Sequence, residues 1–181
     1  KIGLYSIMTA NYDSMYASCE NKEIKNNLKN DCKKYSQLID SIRVFYWGDN
    51  YNNGVKSLER IDNELIPKVK ETTDTTDLLT AVEELNSAID SAKIYFGVAT
   101  VVDPGRFRAF EGMGLVFDRM KDFDSSIYYF EKASQLVPDS SRLVQNIAYC
   151  YIQKEDWANA VTYFKKYLKY EPGTPLETGL R

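Results

Sequence analysis

The chain repeats itself with a fixed period of 34 residues. FDRMKDFDSSIYYFEKASQLVP, residues 117–138, has the same order of aromatic, polar, small and proline positions as YIQKEDWANAVTYFKKYLKYEP, residues 151–172. The positions that keep their size or character are Phe110/Val144, Met113/Ile147, Gly114/Ala148, Phe117/Tyr151, Asp122/Asp156, Phe123/Trp157, Ser126/Ala160, Phe130/Phe164 and Pro138/Pro172. A period of this length is typical of chains that stack one supersecondary unit on the next, because a single unit cannot bury its own apolar face.

Each period predicts two antiparallel helices. Apolar or small residues at 110, 113, 114 and 117 fall on one stripe at helical spacing, and the polar stretch KDFD follows them as a turn. The second helix places Ile127, Phe130 and Ala133 on its inner face and ends before Pro138, which cannot continue it. Truncating Phe130, or Phe164 in the next unit, is therefore expected to be costly.

This pattern resembles the tetratricopeptide repeat, a 34-residue helix–turn–helix unit with an aromatic, a Leu-Gly pair, a Tyr, an Ala, a Phe and a Pro at set offsets. The resemblance covers residues 107–140 and 141–174. The chain departs from it at the first-helix Trp, which is Phe110 and then Val144, and at the late Ala of the second unit, which is Tyr167. It implies an all-α fold, a right-handed α-solenoid of stacked helix–turn–helix units after a divergent N-terminal helical segment.

The same frame extends upstream with less definition. Residues 73–106 carry the second-helix signature, which consists of Ala92, Phe96, Ala99 and Pro104. Their first half, TDTTDLLTAVEELNSA, lacks the small-residue pair and a clear turn. Two interpretations are open, a degenerate repeat within a repeat region 73–174, or one long helix from about Thr76 to Val102.

The two ends of the chain carry weaker signals. Residues 1–72 are expected to be a divergent helical region, in which 35–68 forms a degenerate repeat with Gly54 in register, while 1–34 predict a helix over about 2–20. At the other end, Thr174, Pro175 and Glu177 have the spacing of an N-cap, a first-turn proline and a capping-box partner. We therefore expect residues 175–181 to begin a further helix that continues in the natural protein.

The three cysteines bear on the compartment. If the first two helices form a hairpin that turns near residues 22–27, Cys19 and Cys32 come level across it, and they are then either a disulfide or two buried free thiols. Cys150 reads as a small core residue. A disulfide would place the protein outside the cytoplasm. Because the chain starts without Met, a leader or anchor could precede it, and the sequence leaves exported and cytoplasmic locations open.

Composition argues against several functional classes. The chain has no histidine and a net charge of −3, which disfavour a zinc site, the commonest general base and a nucleic-acid partner. No apolar run approaches the ~20 residues that span a bilayer. We expect no catalytic residue, no metal site and no cofactor.

The resemblance implies a non-catalytic adaptor, because tetratricopeptide proteins bind peptides or partner helices on a concave surface lined by the first helix of each unit. Carried over by position, the groove residues are Arg108, Glu111, Leu115, Arg119, Arg142, Gln145, Asn146, Tyr149 and Gln153. Arg142 and Asn146 have the spacing of the Lys and Asn that hold a partner's C-terminal carboxylate in chaperone-binding members. Gly112 replaces the matching Asn of the preceding unit, so chaperone-tail binding is not expected.

Three hypotheses follow. The first is a bacterial protein-interaction module that binds a peptide or helix in this groove, with arginines that suit acidic and apolar partner residues. Against it stands the interpretation that these arginines pair with Glu111 and Asp118 and bind nothing. The second is a structural or assembly subunit that associates with copies of itself. An enzyme is the least favoured.

Overall fold

The computed structural model describes residues 10–11, 13–14, 17–19 and 29–170, which are helical apart from short turns and contain no strand. The α-helices of 29–170 are α1 Lys29–Arg60, α2 Ile66–Glu71, α3 Thr75–Val102, α4 Phe107–Arg119, α5 Phe123–Leu136, α6 Ser141–Gln153 and α7 Trp157–Tyr170. A single π-helical turn, Ile61–Leu65, joins α1 to α2. The predicted all-α, helical-repeat class is confirmed.

The chain forms two compact units, Lys1–Pro104 and Gly105–Arg181. This division differs from the predicted one at residue 72, which lies in the turn between α2 and α3, inside the first unit. The predicted region 73–174 is thus split, and its segment 73–104 belongs with the N-terminal half. The physical reason is that α3 packs back along α1 and α2, as the Lys68–Glu84 ion pair at 2.8 Å shows.

The structure also corrects the predicted degenerate repeat at 35–68, because α1 runs unbroken through it. The Trp47 and Tyr51 rings stack at 4.8 Å, and the Asn50 side chain donates to the Tyr46 carbonyl at 2.8 Å. These contacts one turn apart keep a polar stretch helical where a turn was expected. Pro67 falls in the first turn of α2, where its missing N–H costs little.

Residues 73–106 are resolved in favour of the long helix. The Asp74 side chain caps α3 by accepting from the backbone N–H groups of Thr76 and Asp77. The second-helix signature is nevertheless real, because Phe96 is 1% exposed and packs on a glycine. That glycine is Gly54 of α1, where an added Cβ would lie 2.8 Å from the Phe96 ring. The first unit therefore contains a tetratricopeptide-like contact at the base of a much longer hairpin.

The second unit has the predicted helix–turn–helix pairs, α4 with α5 and α6 with α7. Gly114 of α4 receives the Phe130 ring of α5 so closely that an added Cβ would lie 2.6 Å from it. The Ser126 hydroxyl donates to the Gly114 carbonyl at 2.8 Å, which satisfies a buried polar side chain at the same crossing. Leu143 and Ile147 of α6 pack against Phe130 and join the two pairs in one core.

The two turns inside these pairs are built alike. Lys121 and Glu155, which are 34 residues apart, adopt left-handed conformations with φ of 58° and 59°. The backbone N–H of Asp122 donates to Phe117 and that of Asp156 to Tyr151, at 3.0 and 2.9 Å. The repeated sequence therefore repeats its turn geometry as well as its helices.

Parts of both ends lie outside the described residues, including most of the predicted helix 2–20, the turn near 22–27 and the helix start at 175–181. Cys19 and Cys32 are joined by a disulfide with a Cα–Cα distance of 5.6 Å, and Asp13 pairs with Arg43 of α1. Cys150 is a buried free thiol. In the part of the chain that is described, no helix combines the length and apolar character needed to cross a membrane.

Candidate partner-binding groove

The first helices of the two pairs, α4 and α6, border an open cavity of about 470 Å³ in the second unit. The cavity is lined by Leu115, Asp118, Arg119, Lys121, Phe123, Phe130, Asn146, Tyr149 and Gln153. Five of these were predicted groove residues, namely Leu115, Arg119, Asn146, Tyr149 and Gln153. Their helical spacing places them on one face of each helix, and stacking of α6 beside α4 brings the two faces together.

The floor of the cavity is aromatic and aliphatic. Phe130 at the floor is 1% exposed, and Leu115 is half-buried beside it. Tyr149 is 46% exposed and meets the Phe164 ring edge-on, with ring centroids 5.6 Å apart. This contact holds an exposed ring in a defined position, which lowers the entropy cost of using it in binding.

Two other predicted groove residues, Glu111 and Arg142, form an ion pair instead of lining the cavity. Arg142 Nε and Nη2 each donate to one carboxylate oxygen of Glu111 at 2.8 Å, in a two-pronged arrangement. The Glu111 side chain is 10% exposed, whereas that of Arg142 is 61% exposed. Burial raises the pKa of Glu111, and the charges of Arg142 and Arg108 act against this rise.

The remaining predicted residues make simpler contacts. Arg108 is exposed and lies over the Phe107 ring, 5.7 Å from its centroid. Gln145 is half-buried on α6. Arg119, which does line the cavity, pairs with Asp118. The ion pairs that the sequence set against a binding role are therefore both formed, and Gly112, expected to open the groove, is buried.

These contacts change how the groove is best probed. Reversing the charge of Arg142 would put a second carboxylate beside the buried Glu111, so loss of binding in such a variant would be confounded by loss of stability. Asn146 and Tyr149 are cleaner positions, since both line the cavity and neither carries charge.

The sequence missed Lys121 and Phe123 as cavity residues. Both belong to the turn between α4 and α5, whereas the groove was assigned to first helices alone. The left-handed Lys121 ends α4 at the cavity's edge. Two adjacent signals, a polar turn and the aromatic that opens α5, were present in the sequence but read only as structural.

A second set of contacts ties the units together away from the cavity. The Tyr163 hydroxyl donates to Glu131 at 3.0 Å, and the Tyr163 and Tyr151 rings stack at 5.4 Å. Burial, with the neighbouring Glu131, raises the pKa of Tyr163 to about 12. Among the described residues no group of three or more Cys, Asp or Glu side chains could hold a metal ion.

The comparisons with known proteins agree with the geometry of the second unit. The family model described as tetratricopeptide repeat matches residues 145–174. No curated protein matches the chain. Among solved structures, the crystal structure of MamA protein is similar at 21% identity, with 88% of this chain and 91% of that chain covered and a TM-score of 0.45. With its 34-residue period, its Gly114–Phe130 crossing and this family match, the chain contains tetratricopeptide repeats, a fold of protein–protein interaction modules.

Proposed function

We propose that the cavity between α4 and α6 binds an extended peptide or a helix of a partner protein, through apolar side chains flanked by carboxylates. The observation that carries this proposal is the cavity of about 470 Å³, which has the size range of a small-ligand site and an aromatic floor. It accommodates one or two apolar side chains of a partner and not a whole folded domain.

The charges at the cavity favour an acidic partner segment. Arg119 and Lys121 against Asp118 leave one net positive charge among the ionisable side chains that line it. The exposed Arg108 and Arg142 add positive charge farther along α4 and α6. Positive groups around an apolar pocket attract carboxylates that lie beside an apolar anchor.

The amides and the tyrosine supply the specific contacts. Asn146 and Gln153 each offer a donor and an acceptor to a peptide backbone, and they lie one and two turns apart along α6 from the tip of the cavity. Tyr149 stands between them as an exposed, ring-supported anchor. Aromatic side chains with this combination of exposure and support are typical binding hot spots.

We also infer a non-catalytic role. The clearest pKa shifts in the repeats accompany contacts that hold the units together, those of Glu111 with Arg142 and of Tyr163 with Glu131. These contacts give each perturbed group a structural reason.

The test is fluorescence anisotropy with a labelled ten-residue peptide that alternates Asp with Leu. A peptide with Lys in place of Asp, and another with Ser in place of Leu, serve as comparators. We expect the acidic–apolar peptide to bind most tightly and to weaken as salt rises. Tyr149→Ala should weaken binding about tenfold, the loss expected of a hot-spot side chain.

Tyr128→Ala is the matched control, because Tyr128 is 53% exposed on α5 and does not line the cavity. Asn146→Ala should weaken binding less than Tyr149→Ala does. Equal binding by the tyrosine variants, or a preference for the lysine peptide, would contradict the proposal.

A further inference from the structure

Helix α1 exposes an apolar stripe that its own unit does not cover. Tyr35, Leu38 and Phe45 are 49%, 52% and 67% exposed, and Ile42 lies half-buried between them. Their spacing of three, four and three residues puts them on one face of the helix. The opposite face carries buried Ile39. The unit thus uses one side of α1 for its core and leaves a second apolar side in solvent.

The stripe is symmetric about position 40. Tyr35 and Phe45 are five residues from it on either side, and Leu38 and Ile42 are two residues from it. A second α1 running antiparallel across a twofold axis would therefore set Tyr35 against Phe45 and Leu38 against Ile42. Self-complementary pairing of one patch is what a twofold interface requires.

The charges beside the stripe complement each other in the same orientation. Lys34 near one end and Asp49 at the other are both exposed. In the antiparallel pair Lys34 would lie within about one helical turn of Asp49 of the second copy, and it could also offset the repulsion between that Asp49 and Asp31. A parallel pair would instead set Lys34 beside Lys34.

The exposed area sets the strength of such a pair. The three exposed side chains leave on the order of 300 Å² of surface on each copy, as large as the biggest patch on a typical monomer. Two copies with their flanking residues bury less than about 1,200 Å², which is the range of weak and reversible complexes. We propose that the protein forms a reversible antiparallel homodimer through Tyr35, Leu38, Ile42 and Phe45 of α1, with a dissociation constant in the micromolar range.

The first test is sedimentation velocity of the whole chain, from about 2 to 200 µM, a range that brackets a micromolar dissociation constant. Wild type should shift from monomer to dimer, and Phe45→Glu should remain monomeric throughout. Val44→Glu is the matched control, since Val44 is 52% exposed on the same helix about 100° round from Phe45. A monomer at every wild-type concentration, or a dimer that survives Phe45→Glu, would overturn the proposal.

The second test fixes the orientation. Tyr35→Cys and Phe45→Cys proteins of different tagged mass are mixed and oxidised. The antiparallel pair should yield mainly the mixed 35–45 product, because the two copies of position 35 would lie about 15 Å apart along the helix axis. Predominance of 35–35 and 45–45 products would refute the antiparallel arrangement. The stripe shares no residue with the cavity of the second unit, so failure here leaves the peptide-binding proposal standing, and the reverse also holds.

Discussion

Two glycines in the same helix should respond to alanine in opposite directions. Gly48 and Gly54 both lie inside α1, but an added Cβ at Gly48 meets nothing within 4 Å. Gly48→Ala should therefore gain about 0.5–1 kcal/mol of stability from helix propensity. At Gly54 the same Cβ would lie 2.8–2.9 Å from three carbons of Phe96. Carbon atoms prefer about 3.5–4.0 Å, and Phe96 is 1% exposed, so its ring has little room to withdraw.

The expected cost of Gly54→Ala follows from these two terms. Overpacking costs about 1–3 kcal/mol, and the gain in helix propensity offsets part of it, which leaves a net loss of about 1–2 kcal/mol. Urea denaturation followed by far-UV circular dichroism measures both variants. Gly54→Ala combined with Phe96→Leu should recover part of the loss, since the smaller side chain relieves the clash, and the double-mutant cycle isolates that coupling. If Gly54→Ala stabilises as much as Gly48→Ala, the close crossing of α1 and α3 is not formed.

Three further outcomes are expected in the second unit. Arg142→Ala should destabilise by about 2 kcal/mol at pH 7, because it leaves the buried Glu111 carboxylate without its partner. Since burial already raises the pKa of Glu111, that loss should shrink in denaturation curves as the pH falls through this pKa and the carboxyl becomes neutral; a pH-independent loss would refute the assignment. Glu155→Gly should raise the melting temperature through a gain of about 0.5 kcal/mol, because φ of 59° suits glycine better, and a loss would contradict the left-handed turn. Phe130→Ala should cost about 3–5 kcal/mol in urea denaturation, and Phe164→Ala less, because Phe164 is only partly buried; equal costs would place the two rings in equivalent surroundings.

The sequence was sufficient for the second unit because its signals are local. Helix pairs, turn positions and the crossing of Gly114 with Phe130 follow from residues that recur at fixed offsets within 34 positions. Each contact spans 16 residues or so, and the turn between helices has one geometry in both copies. Periodicity and turn chemistry then leave few alternatives.

The first unit could not be derived in the same way. The signature around Phe96 was visible, but its small partner, Gly54, lies 42 positions earlier instead of 16. Intervening residues lengthen both arms of the hairpin, and the turn that was expected within 35–68 became helix interior. A search at constant spacing cannot find a partner when the loop between helices has moved along the chain.

Sequence by itself determined the helical period of the repeats and the face on which groove residues lie, because both follow from side-chain spacing along one helix. Tertiary structure alone decided what those faces do. Stacking of α6 beside α4 opened a cavity at Leu115 and Tyr149 and closed the Glu111–Arg142 pair a few residues away. The two residue sets look alike in sequence. They differ because burial and the distance between charges depend on how two helices meet, and no pattern along either helix contains that distance.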